Sequence, residues 1–367
     1  LGGASAFHVL TGGWSVIAAM TAWWITERPR EDATPLFRWP IFIGGTIALL
    51  GLGPALALES GVTAEESLRA ARIYTYFRLP HHLVPSSFHP SWYLRHGLLV
   101  CLVAVLALST HQPARFKSLK AYTATAFGFS CVGFVVGGAI RWNPDLSASL
   151  LRYYWFRLAD AMIPLLFASL MVNLYQSKVR KVSGFAAGIA IVCGVLLLGQ
   201  AIHRNKLGIP PAASHRILGY AQNAPDAEQR AAFADWLAVC DWVRLSSPED
   251  EIFLTPRHQQ TFKWYAQRGE VVNWKDVPQN ARSLIQWYER FQDLYPQRLG
   301  NTNLGSRRIT IKYPKLREYR RKYGVRWMIV DRRIVGTHLP LIRVYPIGDD
   351  INHTYAVYEL PTIQTEK

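Results

Sequence analysis

Six long apolar stretches fill the first 203 residues, and ordinary polar sequence runs from there to residue 367. The stretches are Val9–Thr26, Pro40–Leu58, Arg95–Ser109, Tyr122–Ile140, Phe156–Tyr175 and Ser183–Ile202. Each approaches the ~20 residues that carry an α-helix across ~30 Å of hydrocarbon. Their apolarity is continuous, not alternating, which excludes barrel strands, and lipid leaves the backbone no other partner than itself. The pattern predicts an α-helical polytopic membrane domain with six spans over residues 1–203.

Beyond residue 203 the pattern changes. Residues 204–225, marked by Pro210-Pro211, read as a linker, and residues 226–367 as a soluble α/β sandwich domain. Phe233, Trp236, Leu237, Cys240 and Val243 recur at spacings of three and four, which predicts a helix over 226–246 with Asp226 as its N-cap. Ile252–Leu254 predicts a strand that leaves the sheet at Thr255-Pro256. A helix near 258–268, a strand at Glu270–Asn273 and a helix near 278–295 are expected next. Trp327–Val330 reads as a buried strand ended by Asp331, and 341–346 with 354–360 as a closing antiparallel pair. No G-x-G-x-x-G opens a helix in this domain, so a dinucleotide fingerprint is excluded.

Charge then orients the spans. Loop 110–121 carries Arg115, Lys117 and Lys120 without an acid, and loop 176–182 carries Lys178, Arg180 and Lys181. Loop 27–39 has Arg28, Arg30 and Arg38, diluted by Glu27, Glu31 and Asp32. Loops 59–94 and 141–155 are longer and sparser in bases. An excess of Lys and Arg marks cytoplasmic loops. The expectation is an inner (plasma) membrane protein with loops 59–94 and 141–155 and the C-terminal domain extracytoplasmic. Six spans then leave the N-terminus outside as well, so an odd number of spans is expected upstream of Leu1.

A mean hydropathy of +0.05 averages these unlike halves. The net charge of +16 invites a nucleic-acid reading, but bases flanking spans point instead to anionic membrane lipids as partners. Three of the four cysteines, Cys101, Cys131 and Cys193, lie in apolar stretches; Cys240 stands alone in the C-terminal domain, which excludes a disulfide there.

Loop 59–94 holds the most unusual chemistry: His81, His82 and His89, with His96 just beyond, beside Arg72, Arg78, Arg95 and many aromatic residues. Guanidinium and imidazole groups suit a phosphate or pyrophosphate headgroup. The same residues also suit simple interfacial anchoring. A metal site is a third alternative, although adjacent His81-His82 cannot face one ion from a regular helix or strand and no carboxylate lies close in sequence. Arg157 and Asp160 open the fifth stretch at i and i+3, where they share a helical face and can pair. Ions at that depth mark a cavity or snorkel to the interface, and Pro164 offers a kink one turn on. The candidate anionic-ligand set is therefore Arg78, His81, His82, Arg157 and Asp160. No metal site, catalytic residue or cofactor is assigned. The stretch Arg307–Arg326 carries nine bases against Glu318, which reads as a docking surface for anionic lipid or acidic glycan, or as a solvated helix face.

The segments Arg78-Leu79-Pro80-His81-His82 and Phe156-Arg157-Leu158-Ala159-Asp160, with the C-terminal pattern FLTP…W…GVRWMIVDR, resemble a family of uncharacterised bacterial multi-pass membrane proteins. That architecture is similar to the GT-C class of glycosyltransferases, and the resemblance covers about Arg69 to Leu360. It implies transfer of a sugar from a polyprenyl-phosphate donor at the extracytoplasmic face. The catalytic carboxylate of that class sits in a first extracytoplasmic loop, which would lie upstream of Leu1, so no catalytic residue is carried over. The alternative is a non-catalytic membrane transport or assembly component that uses its extracytoplasmic domain for docking.

Overall fold

The computed structural model describes residues 2–28, 39–109, 116–176, 180–207, 226–257, 259–296, 312–335, 339–348 and 351–362. The chain divides into two compact units, one comprising Leu1–Gly194 with Gln279–Ile285, the other Val195–Pro278 with Gln286–Lys367.

The first unit is helical: α1 (Gly2–Phe7), α2 (Val9–Thr26), α3 (Trp39–Leu58), α4 (Ala64–Arg72), α5 (Pro80–Leu83), α6 (Pro90–Ser109), α7 (Phe116–Gly138), α8 (Pro144–Leu151) and α9 (Arg157–Tyr175), with α10 (Arg180–Leu207) running on from it. Among the described residues, five helices are long and apolar enough to cross a membrane: Val9–Thr26, Trp39–Leu58, Pro90–Leu108, Phe116–Arg141 and Arg157–Tyr175. The sixth stretch expected from the sequence lies within α10, whose apolar part is the shorter Ala187–Ile202. The protein is thus a membrane-embedded helical bundle joined to a second unit. Leu49, Leu50, Val135 and Leu197 are among many large apolar side chains on its outer surface, an arrangement water would penalise and lipid accepts.

Inside the bundle, small residues let helices approach. Ala18 of α2, Ala126 of α7 and Leu158 of α9 form one buried cluster. Val103 of α6 packs with Ala159, Ile163, Leu166 and Leu170 of α9 in another. Several hydroxyls within the spans donate to the carbonyl four residues back, as Ser15 does to Thr11 and Thr123 to Leu119, both at 2.9 Å, and are thereby satisfied without water. Helix α9 continues through Pro164 to Tyr175. Proline has no N–H, so the Asp160 carbonyl receives no i→i+4 bond at that turn.

The second unit contains α11 (Asp226–Ser246), β1 (Ile252–Leu254), α12 (Phe262–Ala266), β2 (Gly269–Glu270), the larger part of α13 (Ala281–Leu294), α14 (Tyr313–Tyr323), β3 (Trp327–Asp331), α15 (Arg332–Val335), β4 (Arg343–Tyr345) and β5 (Tyr355–Glu359). The strands form one mixed sheet in the order β2-β1-β3-β5-β4. Strand β1 runs parallel to both β2 and β3, while β5 runs antiparallel to β3 and β4. Trp236, Val239, Cys240 and Val243 of α11 pack on Phe253, Ile329, Tyr355 and Val357 of the sheet, the helical spacing meeting the two-residue period of the strands.

Three local expectations change. Asp226 is the first residue of α11 and not the residue before it. The helix expected near 258–268 shortens to Phe262–Ala266, because Gln267 turns into the left-handed region at φ 53°. The strand expected over Glu270–Asn273 is only Gly269–Glu270, since Asn273 turns its side chain back onto Glu270 and ends the ladder. Residues 208–225 of the expected linker lie outside the described residues, as do Arg30, Arg38, Arg115 and Lys178 of the basic loops and Arg307 and Arg308 of the basic stretch. Within the described part of that stretch, Tyr313–Tyr323 is helix α14, where Lys315 and Lys322 pair with Asp293, and Arg320 and, past the helix, Arg326 reach Glu359.

Candidate functional site

The candidate residues come together at one end of the helical bundle. The local sequence explains how. Thr63 caps α4: its hydroxyl accepts from the Glu66 amide at 3.2 Å, while its own amide donates to the Glu66 carboxylate at 2.9 Å. The helix then widens into a π turn over Ile73–Arg78, closed by the Leu79 amide on the Tyr74 carbonyl at 3.0 Å. Such widened turns project side chains that a regular helix would not, and they recur at functional sites. Pro80 starts the short helix α5, Pro85 a 3-10 turn and Pro90 helix α6, so three prolines fold the loop into consecutive corners.

The loop is fastened to the 141–156 segment along its length. The Arg72 Nε donates to Asp145 at 2.6 Å, the Tyr76 hydroxyl to the Pro144 carbonyl at 2.6 Å, and Thr75 to the Ala148 carbonyl at 3.1 Å. The Tyr74 and Tyr154 hydroxyls meet at 2.6 Å. Leu83 and Val84 are buried with Leu151, which anchors the histidine pair from below. Helix α7 supplies the seat: a Cβ on Gly137 would stand 2.6 Å from the Pro85 ring, and one on Gly133 would stand 2.7 Å from Trp155 Cβ. The G-x-x-x-G spacing of Gly133 and Gly137, usual where helices touch, here receives the loop and the start of α9.

Arg78 is half-buried, while His81, His82, Arg157 and Asp160 are exposed on the protein surface. The His81 and His82 rings lie 4.2 Å apart. Crowding by surrounding atoms, then the His82 and Arg78 charges, pushes the His81 imidazole down to about 4. His82 is also lowered, by the same crowding first and then by Arg157 and Arg78, with Asp160 opposing them. Arg157 and Asp160 are therefore close enough to act on His82. At neutral pH both imidazoles of the set are therefore uncharged beside the Arg78 and Arg157 guanidiniums and the Asp160 carboxyl.

The pairing expected between Arg157 and Asp160 is not a direct ion pair. Arg157 sits 5.5 Å over the Tyr154 ring, and Asp160 has His96 of α6 at 3.9 Å. Asp160 is 63% exposed, so the group forms an open mouth at the head of the α6–α9 seam and not a closed cavity. Tyr154 holds φ at 58°, a conformation that costs a non-glycine residue roughly 1–2 kcal/mol. Its hydroxyl bond to Tyr74 and its ring beneath Arg157 account for the retention of that conformation. Tyr74, Tyr154 and His96 thus belong to the site without being in the sequence-derived set. His96 stood at the edge of the histidine-rich loop, and its i−1 neighbour Arg95 was a further signal. Nothing in the sequence marks Tyr154. Among the described residues, no group of three or more His, Cys, Asp or Glu side chains is arranged to hold a metal ion.

Residues 234–294, which run from α11 through β1 and β2 to the end of α13, match a family described as a domain of unknown function (DUF6798). No curated protein matches the chain.

Proposed function

We propose that the protein binds the phosphate group of a membrane lipid at the Arg78, His81, His82, Arg157 and Asp160 mouth, and that the lipid is a polyprenyl-phosphate-linked sugar. The observation that carries this reading is the fold-back of loop 59–94, which brings Arg78, His81 and His82 to Arg157 at the N-terminal turn of α9. Two guanidiniums give charge-assisted hydrogen bonds to phosphate oxygens. Uncharged imidazoles beside them accept a proton once a phosphate dianion arrives, and a helix N-terminus favours the same negative charge. The exposure of Asp160 at the head of the α6–α9 seam suits a ligand whose tail stays in lipid.

The reaction in this reading is sugar transfer of the GT-C type, with the catalytic carboxylate outside the residues assigned to the site. Ser183–Ile202 serves as a sixth span, the sheet of the second unit is the centre of an α/β sandwich, and loops 59–94 and 141–155 and that unit are extracytoplasmic. A non-catalytic transport or assembly component would share the binding step and lack turnover. Lipid extracted from the purified full-length protein should contain a polyprenyl phosphate, with its sugar, by mass spectrometry. A lipid complement identical to the bulk membrane would reject the reading. For sidedness, a cysteine at Ser118 should be shielded from an impermeant thiol reagent in intact cells and one at Ser247 should label; the reverse pattern would invert the orientation.

A further inference from the structure

Among its described residues, the second unit contains three buried arginines whose environments differ. Arg268, 8% exposed, is saturated: its Nε donates to the Ser247 hydroxyl at 3.1 Å, its Nη1 to the Gln267 carbonyl at 3.0 Å, and its Nη2 to the Arg244 and Ser247 carbonyls, both at 2.7 Å. It ties the end of α11 to the turn before β2. Arg332, 7% exposed, donates to the Asn352 carbonyl at 2.6 Å. Arg257, also 7% exposed, makes no side-chain hydrogen bond among the described residues. Its Nη1 is fully buried and has no hydrogen-bond partner among the described residues.

The surroundings of Arg257 are aromatic. Its guanidinium stands 4.8 Å from the Phe291 ring centre and 5.4 Å from that of Trp274. Tyr295 closes the same corner, its hydroxyl donating to the Thr255 carbonyl at 2.5 Å. Among the described residues no carboxylate stands within ion-pairing distance of Arg257. Neither His258 nor residues 297–311, its neighbours in sequence and just past α13, include an acid. A cation buried without a counter-charge and with an idle donor is costly, and proteins retain such groups where a ligand or ordered water completes them. Burial accordingly pushes this guanidinium down to about 10.

Position favours a ligand. Arg257 lies three residues past the end of β1, a strand with parallel neighbours on both sides. The carboxyl ends of parallel strands are where open α/β sheets bind their ligands. Every residue named around Arg257 except Tyr295 also lies within the segment matched by the domain family, 234–294.

We propose that Arg257 is the anchor of a second binding site, at the carboxyl end of β1, for an oxyanion group of a ligand, phosphate or carboxylate. The planar guanidinium, held against Phe291 and Trp274, presents Nη1 as the donor to that group. Because Nη1 has no exposed surface in the ligand-free protein, binding displaces side chains that cover it. The site is separate from the membrane one and does not rest on it.

The test is thermal unfolding of the full chain in detergent, read by intrinsic tryptophan fluorescence. Sodium phosphate, sodium acetate and sodium chloride are compared at matched ionic strength. Phosphate or acetate, but not chloride, should raise the melting temperature saturably, and the stronger of the two names the oxyanion. Arg257→Met should abolish the response, weakening apparent affinity about tenfold or more, and should leave the ligand-free melting temperature unchanged or higher, since an uncompensated buried cation has been removed. Arg268→Met should lower the ligand-free melting temperature, because it empties four hydrogen bonds. Arg157→Leu should keep the response, which separates this site from the one in the helical bundle. A wild-type protein that responds to neither oxyanion would overturn the proposal. So would an Arg257→Met protein that still responds, or one as destabilised as Arg268→Met, which would make Arg257 a structural residue completed by water.

Discussion

Gly137 and Gly138 are neighbours on α7, yet the same substitution should act on them in opposite senses. A methyl on Gly137 would stand 2.6 Å from both Cδ and Cγ of Pro85, whereas one on Gly138 would meet nothing within 4 Å. Carbon atoms rest about 3.5–4.0 Å apart, so Gly137→Ala requires the Pro85 ring to retreat by roughly 1 Å. That ring cannot swing aside as a flexible side chain would, and the loop must move with it. Overpacking of this kind costs about 1–3 kcal/mol. Gly138 has helical dihedrals, φ −65° and ψ −31°, so alanine there is unstrained and gains up to about 1 kcal/mol of helix propensity. The two variants should therefore differ by about 2 kcal/mol or more in equilibrium unfolding in mixed micelles. Gly137→Ala should also weaken polyprenyl-phosphate binding, because His82 lies only three residues before Pro85 and retreats with it. Equal stability of the two variants would refute the packing argument, and full binding by a destabilised Gly137→Ala protein would detach the loop seat from the site.

Leu83→Ala should cost about 2–5 kcal/mol, as expected for a fully buried leucine, and loosen the histidine pair, seen as faster amide exchange over residues 79–88. His81 has its folded value depressed from 6.5 to about 4, so the unfolded chain binds the extra proton between those limits. Stability should then fall as pH drops through that window, and His81→Asn should flatten the decline in pH-resolved melts. Bound phosphate favours the protonated ring, so affinity should rise over the same descent in pH, and less so in His81→Asn. Asp293 is pushed up by burial but more strongly down by Lys315, Lys322 and Tyr323, to about 2 from 3.8. It therefore contributes stability above 3.8 that is lost as pH falls through about 2, a loss of roughly 2 kcal/mol that Asp293→Asn should remove from the acid limb.

How much of this was legible in the sequence follows from where each signal lives. Val9–Thr26 and Ile252–Leu254 are recovered residue for residue, because continuous apolarity and a short β-rich run closed by proline depend on local sequence alone. Helix α6 begins at Pro90, five residues before its apolar stretch, since Ser91, Trp92 and Tyr93 are interfacial residues that hydropathy does not register. Helix α4 had a readable sign in the Thr63–Glu66 capping box. The candidate set was legible as chemistry: Arg78, His81, His82, Arg157 and Asp160 are unusual residues for their positions. Their partners were not. The replacement of an Arg157–Asp160 pair by Arg157 over Tyr154 and Asp160 beside His96 depends on the left-handed turn at Tyr154 and on the α6–α9 contact. Both are tertiary facts without a local signature. Arg257 was invisible for the same reason: burial without a counter-charge is a property of the folded sheet end.

The central claim is that Arg157 holds a lipid phosphate, and two arginines five residues apart test it most directly. Arg152 leans on the neighbouring Tyr153, with its Nη2 donating to that hydroxyl at 3.4 Å, and lies outside the proposed set. Titration of the purified full-length protein in nanodiscs with a polyprenyl phosphate should give wild-type affinity for Arg152→Leu. Arg157→Leu should bind roughly 10- to 100-fold more weakly, the loss of a charge-assisted hydrogen bond worth about 1.5–3 kcal/mol, with Arg78→Ala intermediate and all three inserted and folded. Equal affinities for Arg157→Leu and Arg152→Leu would contradict the account and leave loop 59–94 as an interfacial anchor.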